Sequence, residues 1–409
     1  AGDALTTGQE NVALGYAALS GDDVGNHSTA IGWNALISQN YATSTDSNNT
    51  AVGWNVGSSI STGIQNTLIG SHAGDALTDA DYNVAIGMQA LTADTLGSRS
   101  TAMGFFALGS QNFTTATDVY NTAVGYSAGS AVTTGTHNTI VGGLAGDALT
   151  TGTGNTALGY GALSTENTGN KNTAVGRSAL SLADYNGDGH NTALGYYAGV
   201  NVTSGYYNTL IGGLAGDAMT DGNSNVLIGY NTSLHGTGGT NQIAIGISMS
   251  ALGNNNFGFG KASNIVYNDF DTDNAWTRSS DERLKKNITD QKLGLDFIND
   301  LRTVKYNWKP SSELDATDSQ LAHLREKDED GNIINHMNTT ATMHNFIAQE
   351  VKTALDKAGV SDFGGWKEDP YGVQQVSREM FVIPLVKAMQ ELSAKVTTLE
   401  AEVTKLKGE

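Results

Sequence analysis

The chain has 409 residues, no cysteine, 51 glycines and a net charge of −19. An acidic balance of this size, with only Arg99, Lys171, Arg177, Lys261 and Arg278 as cations in the first 279 residues, excludes a nucleic-acid-binding stripe. No apolar run reaches the roughly 18 residues of a membrane span, and nothing depends on disulfides, as in a reducing cytoplasm.

Two kinds of sequence are joined near residue 280. Residues 1–279 carry 5 Lys/Arg against 19 Asp/Glu and 44 of the 51 glycines, whereas residues 280–409 carry 17 against 22. The chain starts Ala1-Gly2-Asp3-Ala4-Leu5, which recurs as Ala73–Leu77 and Ala145–Leu149. It therefore opens inside a repeat and reads as a fragment of something longer.

In the first part, glycines at 15, 32, 53, 70, 87, 104, 125, 142, 159, 176, 195, 212, 229 and 246 close units of the type Asn-Thr-Ala-aliphatic-Gly, spaced by 17 residues except at three wider gaps. So regular a period predicts a solenoid over residues 1–252. Alternation puts Asn, Ala and Gly on one strand face and Thr and the aliphatic on the other. The residue before each glycine, from Leu14 to Ile245, is always apolar and is expected to form the core. Small residues on the opposite face would let a second sheet or chain approach closely. Asn four residues before the glycine, in eleven of fourteen units, predicts a ladder of side-chain amides between coils or a turn into each strand.

A second period overlies the first. Three and four residues past the glycine the chain reads Ala-Leu, Ala-Leu, Val/Ala-Gly, Ala-Gly, giving a superrepeat of four coils. The wide gaps recur at one place in it and insert loops bearing Tyr41, Phe113 and Tyr185. These rings are either receptor contacts for a host glycan or protein, or lids over the coil edge. A 17-residue coil is too small to hold a core alone, so stacking and association with other copies are expected, a homotrimer being the natural closure. The pattern resembles the left-handed β-roll heads of trimeric autotransporter adhesins, which implies a trimeric stacked β-solenoid.

Residues 253–279 read as a connector, and 280–409 as a mixed α+β domain. A helical pattern over Leu293–Leu301 is followed by strand alternation over Thr303–Lys309, a turn at Asp328–Asn332 and a helix opening near His344–Val351. Val382, Leu385, Met389, Leu392, Val396, Leu399, Val403 and Leu406 alternate steps of three and four, predicting a coiled-coil seam over 382–406.

Four motifs run in order through this domain: Ser280-Asp281-x-Arg283-Leu284-Lys285-x-Asn287-Ile288, then Leu301-x-x-Val304-x-Tyr306-x-Trp308-Lys309, then Phe346-Ile347-Ala348-Gln349-Glu350-Val351, then Pro384-Leu385-Val386-Lys387-Ala388. Together they resemble the self-cleaving intramolecular chaperone of phage tailspikes and tail fibres, the endosialidase type. Asn345 departs from the glycine more usual there. The resemblance implies a phage tail-fibre part whose chaperone trimerises, folds the β-structure before it and cuts itself off at Ser279–Ser280. It gives Ser280 as nucleophile and Lys285 as base, with Asp281, Arg283 and Asn287 in support. A lysine can act so only when neutral, which requires burial or neighbouring positive charge.

It further implies assembly in the host cytoplasm, a place in the virion, and release of the cleaved chaperone. No cofactor, metal, nucleic acid or membrane is expected. A bacterial trimeric surface adhesin is one alternative. A polysaccharide-degrading tailspike is another, disfavoured because paired carboxylates are wanted and Glu10 and Glu166 are the only glutamates in the repeats. No turnover enzyme is expected in the shaft.

Overall fold

In the computed structural model the chain divides into two compact units, Ala1–Ser280 and Asp281–Glu409. The structure describes residues 1–251, 253–269, 277–278, 282–328, 331–335, 339–340 and 342–408.

The first unit is a β-solenoid of about 15 turns. Short strands from Val12–Leu14 to Ile243–Ile247, and then Asn256–Lys261, pair in parallel with the strand one coil on. Register is strict: Val12, Ala13 and Leu14 lie against Thr29, Ala30 and Ile31, and each later parallel pair keeps the same strand positions opposite one another, as Thr50, Ala51 and Val52 against Thr67, Leu68 and Ile69. The sheet runs on through residues read as a connector, since Asn264–Asp269 returns antiparallel and pairs with Thr277–Arg278.

The strand faces are the reverse of the sequence expectation. The middle residue of each strand, from Ala30 to Ala244, is fully buried, while the aliphatic before the glycine is half-buried or, at Leu14, Ile69, Met103, Leu158, Leu194 and Ile245, exposed. The cause is width. A 17-residue coil leaves little room between its walls, so most strand centres are alanine and the bulk comes from turn leucines such as Leu19, Leu36, Leu91, Leu108, Leu163 and Leu180, while Leu68, Ile140, Leu210 and Leu227 are large residues at the strand centre itself.

The same limit explains the superrepeat. Where the turn carries glycine instead of leucine, a large residue fills the space from elsewhere: a Cβ on Gly57 would sit 2.7 Å from Leu68 Cδ1, 3.0 Å from Leu36 Cδ2 and 3.2 Å from Ile60 Cδ1. Gly129 stands in the same relation to Ile140, Leu108 and Val132, and Gly199 to Leu210, Leu180 and Val202. Volume is thus conserved across groups of four coils and not within one.

The strand-ending glycines are forced. At Gly142 φ is +135°, and a Cβ would lie 2.5 Å from the carbonyl oxygen of Gly159 in the next coil. Neither condition is open to another residue. Elsewhere the turns hold non-glycine residues at positive φ: among the described residues, thirty-four lie between Glu10 and Ala262. They recur before the Asn or Ser of each unit (His27, Tyr82), two after the glycine (Asn34, Phe106) and, in the coils whose turn carries leucine, at that leucine (Leu36, Leu108). Each costs on the order of 1 kcal/mol relative to a right-handed conformer.

Asparagine ties the coils. Asn155 Nδ2 donates to Gly169 O at 2.8 Å and its Oδ1 accepts from Asn172 N at 2.9 Å, while Asn155 N donates back to Asn138 Oδ1 at 2.9 Å. This column satisfies buried backbone groups that a narrow turn leaves without a partner. Direct amide-to-amide bonds join it in places, as from Asn208 Nδ2 to Asn191 Oδ1 at 3.0 Å.

The second unit packs a short helix α1 (Leu295–Asn299), a helix α2 (Ala348–Ala358) and a long helix α3 (Val382–Lys407) with one antiparallel strand pair (Val304–Tyr306 with Met343–Asn345) and one small hairpin (Trp366–Glu368 with Gln374–Val376). Its core is Leu293, Phe297, Val351, Ala354, Leu355 and Phe381. Phe381 lies at the centre, with ring centroids 4.8 Å from Phe346, 5.1 Å from Phe363 and 6.2 Å from Phe297. Glu391 on α3 accepts from Leu295 N at 2.7 Å and so caps the start of α1.

Candidate functional site

The first motif enters the second unit through a single 3₁₀ turn, Glu282–Leu284, closed by Lys285 N donating to Glu282 O at 2.9 Å. Ser279, Ser280 and Asp281, where the expected scissile bond, nucleophile and first supporting residue fall, lie outside the described residues. Arg283, Lys285 and Asn287 are exposed on their own chain, and Asn287 has a left-handed φ of +57°. The burial that would hold a lysine neutral is therefore not provided by the described residues around Lys285 in one chain.

The second and third motifs come together. Strand Val304–Tyr306 pairs antiparallel with Met343–Asn345, placing Val304 opposite Asn345 and Tyr306 opposite Met343. Directly after these strands, Trp308 and Lys309 on one side and Phe346, Ile347 and Gln349 on the other line one groove of about 840 Å³. The aromatic at 306 packs edge-on to Trp308 at 5.2 Å. Arg302, just before the strand, pairs with Glu350 of α2 at 2.5 Å, which holds the Arg302 guanidinium above and the Glu350 carboxyl below its usual range. Asn345, the departure from the family pattern, is an ordinary strand residue whose Oδ1 accepts from Phe346 N at 2.9 Å.

The fourth motif starts α3. From it the row Val382, Leu385, Met389, Leu392, Val396, Leu399, Val403 and Leu406 stands exposed along the helix.

In the solenoid, the aromatics of the inserted loops turn inward. Tyr41 is 5 % exposed, its hydroxyl donating to Gly63 O at 2.7 Å, and burial pushes its phenol far above the ordinary range. Phe113 is 8 % exposed and Tyr185 half-buried, stacked at 5.1 Å on Tyr206. Tyr41 and Phe113 thus cover the coil edge, as the lid reading expects, while Tyr185 keeps part of its ring exposed.

Beneath those loops lie buried carboxylates that the sequence reading missed. Asp22 accepts from Gln39 Nε2 at 2.6 Å, and Gln39 Nε2 also donates to Ser28 Oγ at 2.9 Å. Asp94 repeats this with Gln111 and Ser100. In the third superrepeat all three residues change together: Glu166, Ala183 and Asn172 replace Asp, Gln and Ser. The longer Glu166 takes over by reaching Gly169 N at 2.7 Å, Asn167 N at 3.1 Å and Tyr185 N at 3.4 Å. Loss of water raises the pKa of both Asp94 and Glu166. The signal was present in the sequence as an acid and a Gln 17 residues apart, exchanged as a set.

Residues 280–360 match the family model described as chaperone of endosialidase. The segment carries the intramolecular chaperone of a self-cleaving family, placed directly behind a β-solenoid. Neither the curated proteins nor the solved structures contain a match to the chain.

Proposed function

We propose that this chain is part of a phage tail fibre or related virion appendage, assembled as a homotrimer in the host cytoplasm, whose C-terminal unit aligns three copies, drives folding of the solenoid and then cuts itself free. The observation that carries this reading is the match to the chaperone of endosialidase at residues 280–360, immediately after the repeats. The solenoid supplies the need for such a helper. Its coils are nearly identical, so a slip by one coil buries almost the same surface, and its many left-handed residues oppose spontaneous local folding. The exposed apolar row of α3 suits association of copies, which raises the effective concentration of the coils beside it.

In the cleavage step, Ser280 Oγ attacks the carbonyl carbon of Ser279 while neutral Lys285 Nζ takes the hydroxyl proton. The Ser279–Ser280 amide bond breaks, the proton passes to the departing Ser280 amine, and the Ser279 ester is hydrolysed by water, restoring the hydroxyl. Because Lys285 is exposed on the single chain, cleavage in this reading comes after the assembly that covers it. Attachment to a host glycan or protein belongs to this role.

The test is mass spectrometry of the expressed chain. Wild type should give a new N-terminus at Ser280, and Ser280→Ala or Lys285→Ala a single intact chain. Cleavage at this bond in either variant sinks the dyad.

A further inference from the structure

The outward face of the strand ladder carries three parallel rows: the residue three before each glycine, the aliphatic before it and the residue after it. We infer that this strip is the surface along which copies of this chain pack in parallel register, an assignment that rests on the homotrimer proposed above.

Composition is the first ground. Across fourteen coils the three rows hold 42 residues, and Arg177 is the only charged one. Its guanidinium lies 5.8 Å from the rings of its own Tyr196 and Tyr197, which engage it within the chain. In a chain of net charge −19, copies repel least where carboxylates are absent. The row before the glycine is apolar throughout and the row after it largely aromatic, and both are uncovered, as at Leu158 (45 % exposed), Tyr160 (57 %) and Leu194 (47 %), while the row three before the glycine is threonine in ten of fourteen coils.

Area is the second ground. Thirteen ladder steps of ~4.8 Å and a width of four residues at ~3.3 Å give about 800 Å². That exceeds the few hundred Å² of an ordinary exposed patch. It equals the roughly 800 Å² that each partner contributes to a standard stable interface.

Periodicity chooses the partner. Side chains repeating every ~4.8 Å over so many steps are matched only by a surface of the same spacing, which a second ladder of this chain has. The row before the glycine is aliphatic throughout and is blind to register. By contrast, the row after it changes from coil to coil, with Trp33 and Trp54 in one stretch and Gly143, Arg177 and Gly213 in another, so it favours alignment of like coils.

Because the chain has no cysteine, single probes report cleanly. Leu158→Cys and Leu194→Cys are placed in the full chain, with Lys171→Cys, off the strip, as a control. Stoichiometry is read by sedimentation and maleimide labelling rates on the native protein. Trimer with the two strip positions labelling at least tenfold more slowly than Lys171→Cys supports the assignment, as does loss of trimer in Leu158→Asp with Leu194→Asp while wild type keeps it. Trimer with all three positions labelling at similar rates overturns the strip and leaves the homotrimer standing. A monomeric wild-type chain sinks the homotrimer itself.

Discussion

Removing one amide from the column tests what holds coil to coil. In Asn155→Ala two buried backbone groups lose their partners, Gly169 O, which accepts from Nδ2 at 2.8 Å, and Asn172 N, which donates to Oδ1 at 2.9 Å. Asn155 is 1 % exposed, so water does not readily replace them. At ~1–3 kcal/mol for each buried group left unsatisfied, the loss is about 2–6 kcal/mol. Repeat stacks respond through nearest neighbours, so the effect should centre on coils 138–172 and fade beyond. Hydrogen exchange followed by mass spectrometry reads this directly: amides around Asn172 should exchange about 30-fold faster or more, since each 1.4 kcal/mol is a factor of ten. Thr151→Ala, an exposed turn position, should shift exchange by less than about threefold. Unchanged protection at Asn172 in Asn155→Ala would refute the ladder as the tie between coils.

Other outcomes follow from geometry already described. Gly142→Ala brings a Cβ to 2.5 Å from Gly159 O at φ +135° and should cost several kcal/mol or abolish folding, whereas Gly154→Ala, at φ +70° with its nearest neighbour 3.9 Å away, should cost only about 1 kcal/mol by thermal melting. Glu166 has a folded-state pKa raised by burial, so its contribution to stability is fully present below the ordinary Glu value of about 4.3 and is lost as pH rises through the folded value. Wild type should therefore gain stability on acidification from neutrality, and Glu166→Gln, which keeps the acceptor for Gly169 N, should reduce that gain in denaturant titrations at two pH values. Phe381→Ala empties the centre of the second unit and should cost that unit about 3–5 kcal/mol in chemical denaturation.

Much of this molecule was legible in its residues. The 17-residue period, the strand-ending glycines and the Asn column translate directly into coils, because each is fixed by backbone geometry that repeats identically. Which strand face points inward was misread, since Val124 and Leu158 look like core residues and Ala123 and Ala157 do not. Hydrophobicity ranks those positions one way and the width of the coil the other, and width prevails. The superrepeat was visible as Ala-Leu and Ala-Gly pairs, yet its reason is contact between coils, as between Gly57 and Leu68, which no single unit reveals. At the candidate site the motif order located the domain and its pairings, such as Tyr306 opposite Met343. Exposure of Lys285 could not be read from Ser280 and Lys285 alone, because it depends on what surrounds the turn.

The exchange of bulk between Gly57, Leu36 and Leu68 sets how long such a rod can be. Deleting one 17-residue coil would face a leucine turn with the wrong neighbour and leave either a hole or a clash. Excising residues 33–104 removes 104 − 32 = 72 residues, one whole block, and rejoins compatible surfaces while shortening the ladder by about 19 Å at ~4.8 Å per coil. Length in this design is quantised, and viable variants should differ by multiples of four turns.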